Sequence, residues 1–258
     1  MVRAPGAAQR ILSPLLDLPR DALKSLERAF VHFPRDDALR PTTSRLWQMF
    51  YESPGLRVSQ VYNLPDFSAP PSTLQRLTHL GVDSIRPQVI MALLRSCPRL
   101  QVLQAVVQDP DITHPPDDAY LIPKVQIPLL LPNLQALMLR GMSDWTNFFE
   151  GILAPDCRRL ELLAHTVRAE PICDMLRRSG ARLQMLALRW ENWAYEAEIV
   201  ELLLTQELVD LKIFCYAPFD GVDDRVHRFD FSFFLPPRVI VDTYTYEEAE
   251  EAYHSLGC

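Results

Sequence analysis

Apolar residues in this chain fall into short blocks with one spacing: a leucine, two free positions, a leucine, one free position, then an aliphatic residue. Four segments carry it in full: Leu77-x-x-Leu80-x-Val82, Leu134-x-x-Leu137-x-Leu139, Leu183-x-x-Leu186-x-Leu188 and Leu208-x-x-Leu211-x-Ile213. Leu100-x-x-Leu103-x-Ala105 and Leu160-x-x-Leu163-x-His165 share it with a weaker last place. The first leucines lie 23, 34, 26, 23 and 25 residues apart (100−77, 134−100, 160−134, 183−160, 208−183). Alternate side chains of a strand face one side, so the fourth and sixth positions point inward together, and the first reaches the core from the turn before the strand. One such unit cannot bury its apolar face; a stack of them forms a parallel sheet with a continuous ladder inside.

The segments between the blocks have helical periodicity. Val89, Ile90, Leu93 and Leu94 predict a helix over Pro87–Ser96, with Pro87 suited to the first turn. Trp145, Phe148, Phe149, Ile152 and Leu153 form one stripe over Asp144–Leu153, with Asp144 as an N-cap. Pro171–Arg178 and Tyr195–Leu204 complete the set, as parallel strands require crossover connections. The helix ends echo one another: Leu93-Leu94-Arg95-Ser96-Cys97-Pro98-Arg99-Leu100, Leu176-Arg177-Arg178-Ser179-Gly180-Ala181-Arg182-Leu183 and, more loosely, Phe50-Tyr51-Glu52-Ser53-Pro54-Gly55-Leu56. Ser followed by Gly or Pro stops a helix and turns the chain back. The third copy extends the array upstream, with a helix on Leu46, Trp47 and Phe50 and a strand over Leu56–Val61, and Leu23-Lys24-Ser25-Leu26 opens a still earlier unit. Downstream, Arg238–Val241 reads as a strand and Thr245-x-x-Glu248 as the capping box of a last helix.

Spacing and period place the chain among leucine-rich repeats. The expected fold is an α/β leucine-rich-repeat solenoid, a ribonuclease-inhibitor-like horseshoe of irregular repeats, with parallel strands on the concave face and helices on the convex face. It is expected as a single domain over residues 1–258 in about eight or nine units, with disorder at 1–17 and an excursion loop, partly disordered, at 107–129. That loop is rich in proline and aspartate. The places eight residues after each first leucine, where such repeats usually carry asparagine, hold Ile85, Gln108, Met142, Arg168, Glu191 and Tyr216, so no asparagine ladder forms.

Composition narrows the function. The net charge is −7, which opposes binding to a phosphate backbone, so no nucleic-acid partner is expected. Five cysteines are present with no CxxC, which suits reduced thiols in a cytoplasmic or nuclear protein better than a disulfide scaffold. No long apolar run predicts a signal peptide or a membrane span. Eight glycines include no phosphate-binding loop, and there is no GxSxG, HExxH or metal-spaced His/Cys pair. No enzyme, cofactor or metal is expected. His165, at an inward position, reads as a core histidine; Asp220-Gly221-Val222-Asp223-Asp224 lacks the ligand alternation of a calcium loop.

The remaining strand positions are the informative ones. They are His79, Gly81 and Asp83; Val102, Gln104 and Val106; Ala136, Met138 and Arg140; Leu162, Ala164 and Thr166; Met185, Ala187 and Arg189; Asp210, Lys212 and Phe214. Val102, Val106, Met138, Leu162 and Met185 make an apolar strip edged by Arg140 and Arg189, the composition of a protein-binding surface. The candidate partner site is therefore Val102, Gln104, Val106, Met138, Arg140, Leu162, Ala164, Met185, Arg189, Lys212 and Phe214. The competing use of such a strip is to be covered by the chain's own Asp109–Pro128 segment.

Gln75-Arg76-Leu77-Thr78-His79-Leu80, Met91-Ala92-Leu93-Leu94-Arg95-Ser96-Cys97-Pro98-Arg99-Leu100, Leu131-Pro132-Asn133-Leu134 and Met175-Leu176-Arg177-Arg178-Ser179-Gly180 together resemble the repeat region of fungal F-box proteins of the basidiomycete type, over roughly Leu23 to Phe214. The resemblance implies repeats that hold a protein substrate and an N-terminal F-box that docks on the Skp1 subunit of a cullin–RING ubiquitin ligase. The chain departs from the family there. Leu18-Pro19, Asp21, Leu23, Phe33, Leu39 and Trp47 follow an F-box skeleton only loosely, Pro34 and Pro41 interrupt its helices, and Ser44–Ser53 fits a repeat helix. A substrate-receptor-like part of a ligase adaptor and a free-standing scaffold without a ligase link both remain open.

Overall fold

The computed structural model describes residues 14–32, 40–62, 69–107, 122–141, 144–164, 167–190, 196–218 and 231–243. Their main feature is a nine-stranded parallel sheet. Its strands are β1 (Arg28–His32), β2 (Val58–Tyr62), β3 (His79–Ile85), β4 (Val102–Val107), β6 (Ala136–Gly141), β8 (Arg159–Ala164), β9 (Met185–Trp190), β10 (Ile213–Pro218) and β11 (Ile240–Thr243). They lie side by side in chain order; two short strands, β5 (Leu129–Leu130) and β7 (Ile152–Leu153), pair apart from them. A right-handed crossover between neighbouring parallel strands places each connection on the same face of the sheet.

The stacking repeats one hydrogen-bond device at the entry to each strand. The carbonyl of Glu27 accepts from Arg57 N–H and Val58 N–H, at 2.8 and 3.0 Å. Arg57, Thr78, Gln101, Gln135, Arg158 and Gln184 accept in the same way from two consecutive N–H groups of the next unit, and Lys212 accepts from Ile240. Each backbone donor at a strand start is thereby satisfied by the preceding unit, which locks every unit to its neighbour in one register.

That register sorts the strand residues. Leu103, Leu137, Leu160, Leu186 and Phe214 are paired across adjacent strands and face the helices, as are Ala105, Leu139, Leu162, Leu188 and Tyr216 two positions on. All are buried and, with the helix residues Ile90, Phe148, Met175 and Ile199, belong to one continuous core. The turn position before β2, β3, β4, β6, β8, β9 and β10 is filled by Leu56, Leu77, Leu100, Leu134, Cys157, Leu183 and Leu211, again buried.

The helices are α1 (Arg40–Glu52), α2 (Pro71–Leu74), α3 (Pro87–Ser96), α4 (Thr146–Glu150), α5 (Ala169–Ser179) and α6 (Glu196–Leu203). The predicted helix over Pro87–Ser96 matches α3 to the residue. α5 ends on Gly180 with φ of 64°, and Ala181 N–H closes back on the Leu176 carbonyl at 3.0 Å. This left-handed cap is the reason for glycine there. The serine of the repeated helix-end phrase ties units together in two of its three copies. Ser53 Oγ donates to the carbonyls of Leu23 and Leu26, and Ser179 Oγ accepts from Ala154 N–H.

The structure corrects two predicted elements. The stripe from Trp145 to Leu153 is not one helix: α4 stops at Glu150, and Gly151 leads into a two-residue strand, β7 (Ile152–Leu153), paired in parallel with β5 (Leu129–Leu130). Asp144 is not the N-cap; it lies one residue outside, with its Oδ1 accepting from Thr146 N–H at 2.9 Å. The predicted excursion loop 107–129 is anchored at its far end, where Ile122 is buried and its carbonyl accepts from Asn147 Nδ2 at 2.7 Å. Residues 108–121 of that loop, His165, Asp220–Asp224, the predicted C-terminal helix and residues 1–13 lie outside the described residues. Within the stretch that follows an F-box skeleton loosely, Arg28–His32 is a strand of the sheet and Arg40–Glu52 is a helix.

Candidate recognition face

Residues that alternate with the inward rows face away from the helices. On β4 these are Val102, Gln104 and Val106; on β6, Ala136, Met138 and Arg140; on β9, Met185, Ala187 and Arg189. Seven of the predicted site residues therefore share one face: Val102, Gln104, Val106, Met138, Arg140, Met185 and Arg189. The other four do not. Leu162 and Ala164 pair with Leu139 and Gly141 on one side and Leu188 and Trp190 on the other, so they point into the core; Leu162 is 3% exposed. Phe214 pairs with Leu186 and is 0% exposed, stacked on Tyr216 and edge-on to Phe231. Lys212 precedes β10 and is exposed, its Nζ 3.5 Å from Gln184 Oε1.

The physical reason is an odd slip. The true unit at β8 is Cys157-x-x-Leu160-x-Leu162, and at β10 Leu211-x-x-Phe214-x-Tyr216; each differs by three residues from the leucine-only pattern. A shift by an odd number exchanges the two faces of a strand. The same slip affects β1, where Leu26-x-x-Ala29-x-Val31 replaces the unit starting at Leu23. The face is thus completed by Arg159, Glu161 and Leu163 on β8, Ile213 and Cys215 on β10, and by Arg28, Phe30, Val58 and Gln60 on β1 and β2, none of them among the predicted site residues. Only the alternation within each strand could have signalled them, once its phase was right.

Two polar constellations stand on this face. Gln60 Nε2 donates to Gln104 Oε1 at 2.9 Å, across β3. Both side chains are buried, at 5% and 3% exposure. The bridge is possible because Gly81 lies between them: a Cβ there would come within 2.6 Å of Gln60 Cγ. The second is Arg159 with Glu161, two positions apart on β8, in a short charge-assisted contact. Burial holds the Glu161 carboxyl above the usual carboxylate range, and Arg159 pulls it back only in part. Nearby, burial and then the Arg28 guanidinium hold His79 below its ordinary value, so its ring is neutral at neutral pH.

Between these constellations runs a groove of about 230 Å³, lined by Arg28, Phe30, Val58, Gln60, His79, Gly81, Val102, Gln104, Met138 and Arg159 among others. Away from the groove, Cys97 and Cys157 are pushed up to about 12 by burial and Cys173 to about 11, values that leave them inert at neutral pH. Among the described residues no His/Cys/Asp/Glu group is arranged to hold a metal ion, and no helix is long and apolar enough to cross a membrane. Such a face offers hydrogen bonds, guanidinium charge and apolar area to a ligand, which is the chemistry of binding.

The architecture defines the chain as a parallel α/β protein with its strands added in sequence order. No protein-family model, curated protein or solved structure matches it.

Proposed function

We propose that this chain is a leucine-rich-repeat solenoid, concave on its strand side, that recognises a partner protein through the sheet face opposite its helices. The observation that carries this reading is the division of the central strands β4, β6, β8 and β9 into a buried row made mostly of leucine and an outward row mixing arginine, glutamine and apolar residues. No catalytic role, cofactor, nucleic acid or membrane partner is proposed. Four buried free thiols go with a cytoplasmic or nuclear setting.

In the fuller form of the proposal the chain is the substrate-receptor-like part of an F-box-type ubiquitin-ligase adaptor. The likeness of its repeat phrases to fungal F-box proteins supports this. A free-standing scaffold without a ligase link is the second reading, and it is favoured by β1, which uses Arg28–His32 as sheet rather than as part of an F-box. A pulldown with purified Skp1 and cullin separates them: retention supports the adaptor, and absence of retention supports the scaffold. The recognition face itself is tested by placing a photo-crosslinking residue at Val102 or Met185 and, on the helical side, at Val89 or Leu204. Adducts with one partner from the first pair alone are expected; equal adducts from the helical side contradict the assignment.

A further inference from the structure

Charge on this chain is unevenly placed. The whole molecule carries −7, yet the groove-lining residues include two arginines, Arg28 and Arg159, and no carboxylate. Arg28 is exposed and, among the described residues, no carboxylate pairs with it. Arg159 stands five strands away along the same row, since β1 to β8 passes through β2, β3, β4 and β6, and it is already paired with Glu161, so Arg28 supplies the unmatched charge. The cations therefore flank a central stretch, whose walls are Phe30, 47% exposed, and Met138, 2% exposed. Its floor is the Gln60–Gln104 bridge, laid flat over Gly81.

Size decides what kind of ligand suits this shape. About 230 Å³ is below the roughly 300–1,000 Å³ typical of pockets that enclose a whole small molecule. It suits one or two side chains pushed in from a backbone that stays outside. The field suits a negative ligand, because an anionic segment meets arginine here and repulsion over an acidic surface elsewhere. A bidentate guanidinium–carboxylate pair adds geometric selectivity.

We propose that the groove over Gly81 binds an acidic segment of the partner protein, with a carboxylate paired to Arg28 and an adjacent apolar side chain seated between Phe30 and Met138 on the Gln60–Gln104 bridge. This rests on the reading of the strand face as the recognition face, and it narrows that reading to the β1–β8 end and to one ligand chemistry. Gly81 and Gln104 then act as a shape filter. The absent side chain at Gly81 leaves depth, and the bridge sets where that depth ends.

The test uses the intact chain and a positional-scanning library of short, end-capped peptides read by fluorescence anisotropy. Enrichment of Asp or Glu beside an apolar position is expected. For the best peptide, Arg28→Glu weakens binding about tenfold, the effect of one accessible charge reversed. Gln104→Ala and Gly81→Ala each weaken it by a comparable factor with unchanged circular dichroism, the latter by displacing Gln60. Lys124→Glu on a distant element leaves it unchanged. Enrichment of basic peptides, preference for a short single-stranded oligonucleotide over every peptide, or indifference to all three groove variants overturns the proposal. So does peptide binding that appears only after Asp109, Asp111, Asp117 and Asp118 are changed to Asn, which assigns the groove to the chain's own acidic segment. Failure of the recognition-face reading looks different: it is the photo-crosslinking experiment that then reports the helical side.

Discussion

The two faces of the central sheet are built from the same strands and obey different rules. On the helix side nearly every position is leucine or another large apolar residue, closed off from water and in contact with the rows beside it. On the other side, arginine, glutamine, glycine, methionine and valine follow one another along a row with no fixed type. The first face is constrained by packing density, since each side chain must fill the space its neighbours leave. The second does not follow that rule, and under the proposed function its residues answer to a partner. Residues adjacent in sequence thus fall on faces of different composition through alternation within a strand.

Substitutions break this contrast with graded force. Phe148, fully buried and edge-on to both Trp145 and Phe149, carries the largest expected cost: Phe148→Ala is expected to lose about 3–5 kcal/mol in denaturant unfolding. Next comes the one polar pair on the inward side of β2. Tyr51 hydroxyl and Ser59 Oγ are 2.8 Å apart and buried, and burial drives the Tyr51 hydroxyl well above its ordinary pKa. Ser59→Ala removes that buried hydrogen bond and is expected to cost about 0.5–1.5 kcal/mol by the same measurement. On the outward side, Val102→Ala and Met185→Ala are expected to stay within about 1 kcal/mol. A larger loss at either would place them in the core.

The smallest effects are those of pH. His79 is held below its ordinary value of 6.5, so the unfolded chain takes up that proton first. Its contribution to stability is complete above pH 6.5 and is lost as pH falls through the folded value. Glu161 runs the other way. With its folded value raised above 4.5, its contribution is present below pH 4.5 and lost as pH rises through the folded value. Unfolding midpoints measured from pH 8 to pH 5 are expected to respond to His79→Gln by a flatter profile near pH 6, and to Glu161→Gln by a gain at the neutral end. An unchanged profile in both variants contradicts the burial assigned to these groups.

Much of this architecture was legible in the leucines. The units at Leu77, Leu100, Leu134 and Leu183 have the phase the structure shows, and α3 begins at Pro87 as its periodicity and proline predict. The failures share one cause. At β8, Leu160, Leu162 and Leu163 offer leucine in two phases, and the deciding residue at the turn is Cys157, a small apolar side chain that a leucine template passes over. At β10 the inward places hold Phe214 and Tyr216, so the template stops three residues early. Around Gly151, local helical spacing gave way to pairing between β5 and β7, a tertiary contact that periodicity does not encode. The candidate site suffered more than the fold, because a three-residue slip leaves a strand in place but exchanges its faces. The Gln60–Gln104 bridge was beyond reach for a further reason: it joins residues 44 apart in sequence across a glycine, and neither amide announces its partner.

Leu162 and Leu163 put the separation of faces to its most direct test. They are neighbours in sequence, chemically identical, and differ only in the side of the sheet they occupy. Chemical denaturation of Leu162→Ala and Leu163→Ala compares them on one scale. The register described here predicts a loss of about 2–5 kcal/mol for Leu162→Ala and about 1 kcal/mol or less for Leu163→Ala. The reverse order would place Leu163 in the core, return Leu162 to the recognition face and contradict the assignment of β8.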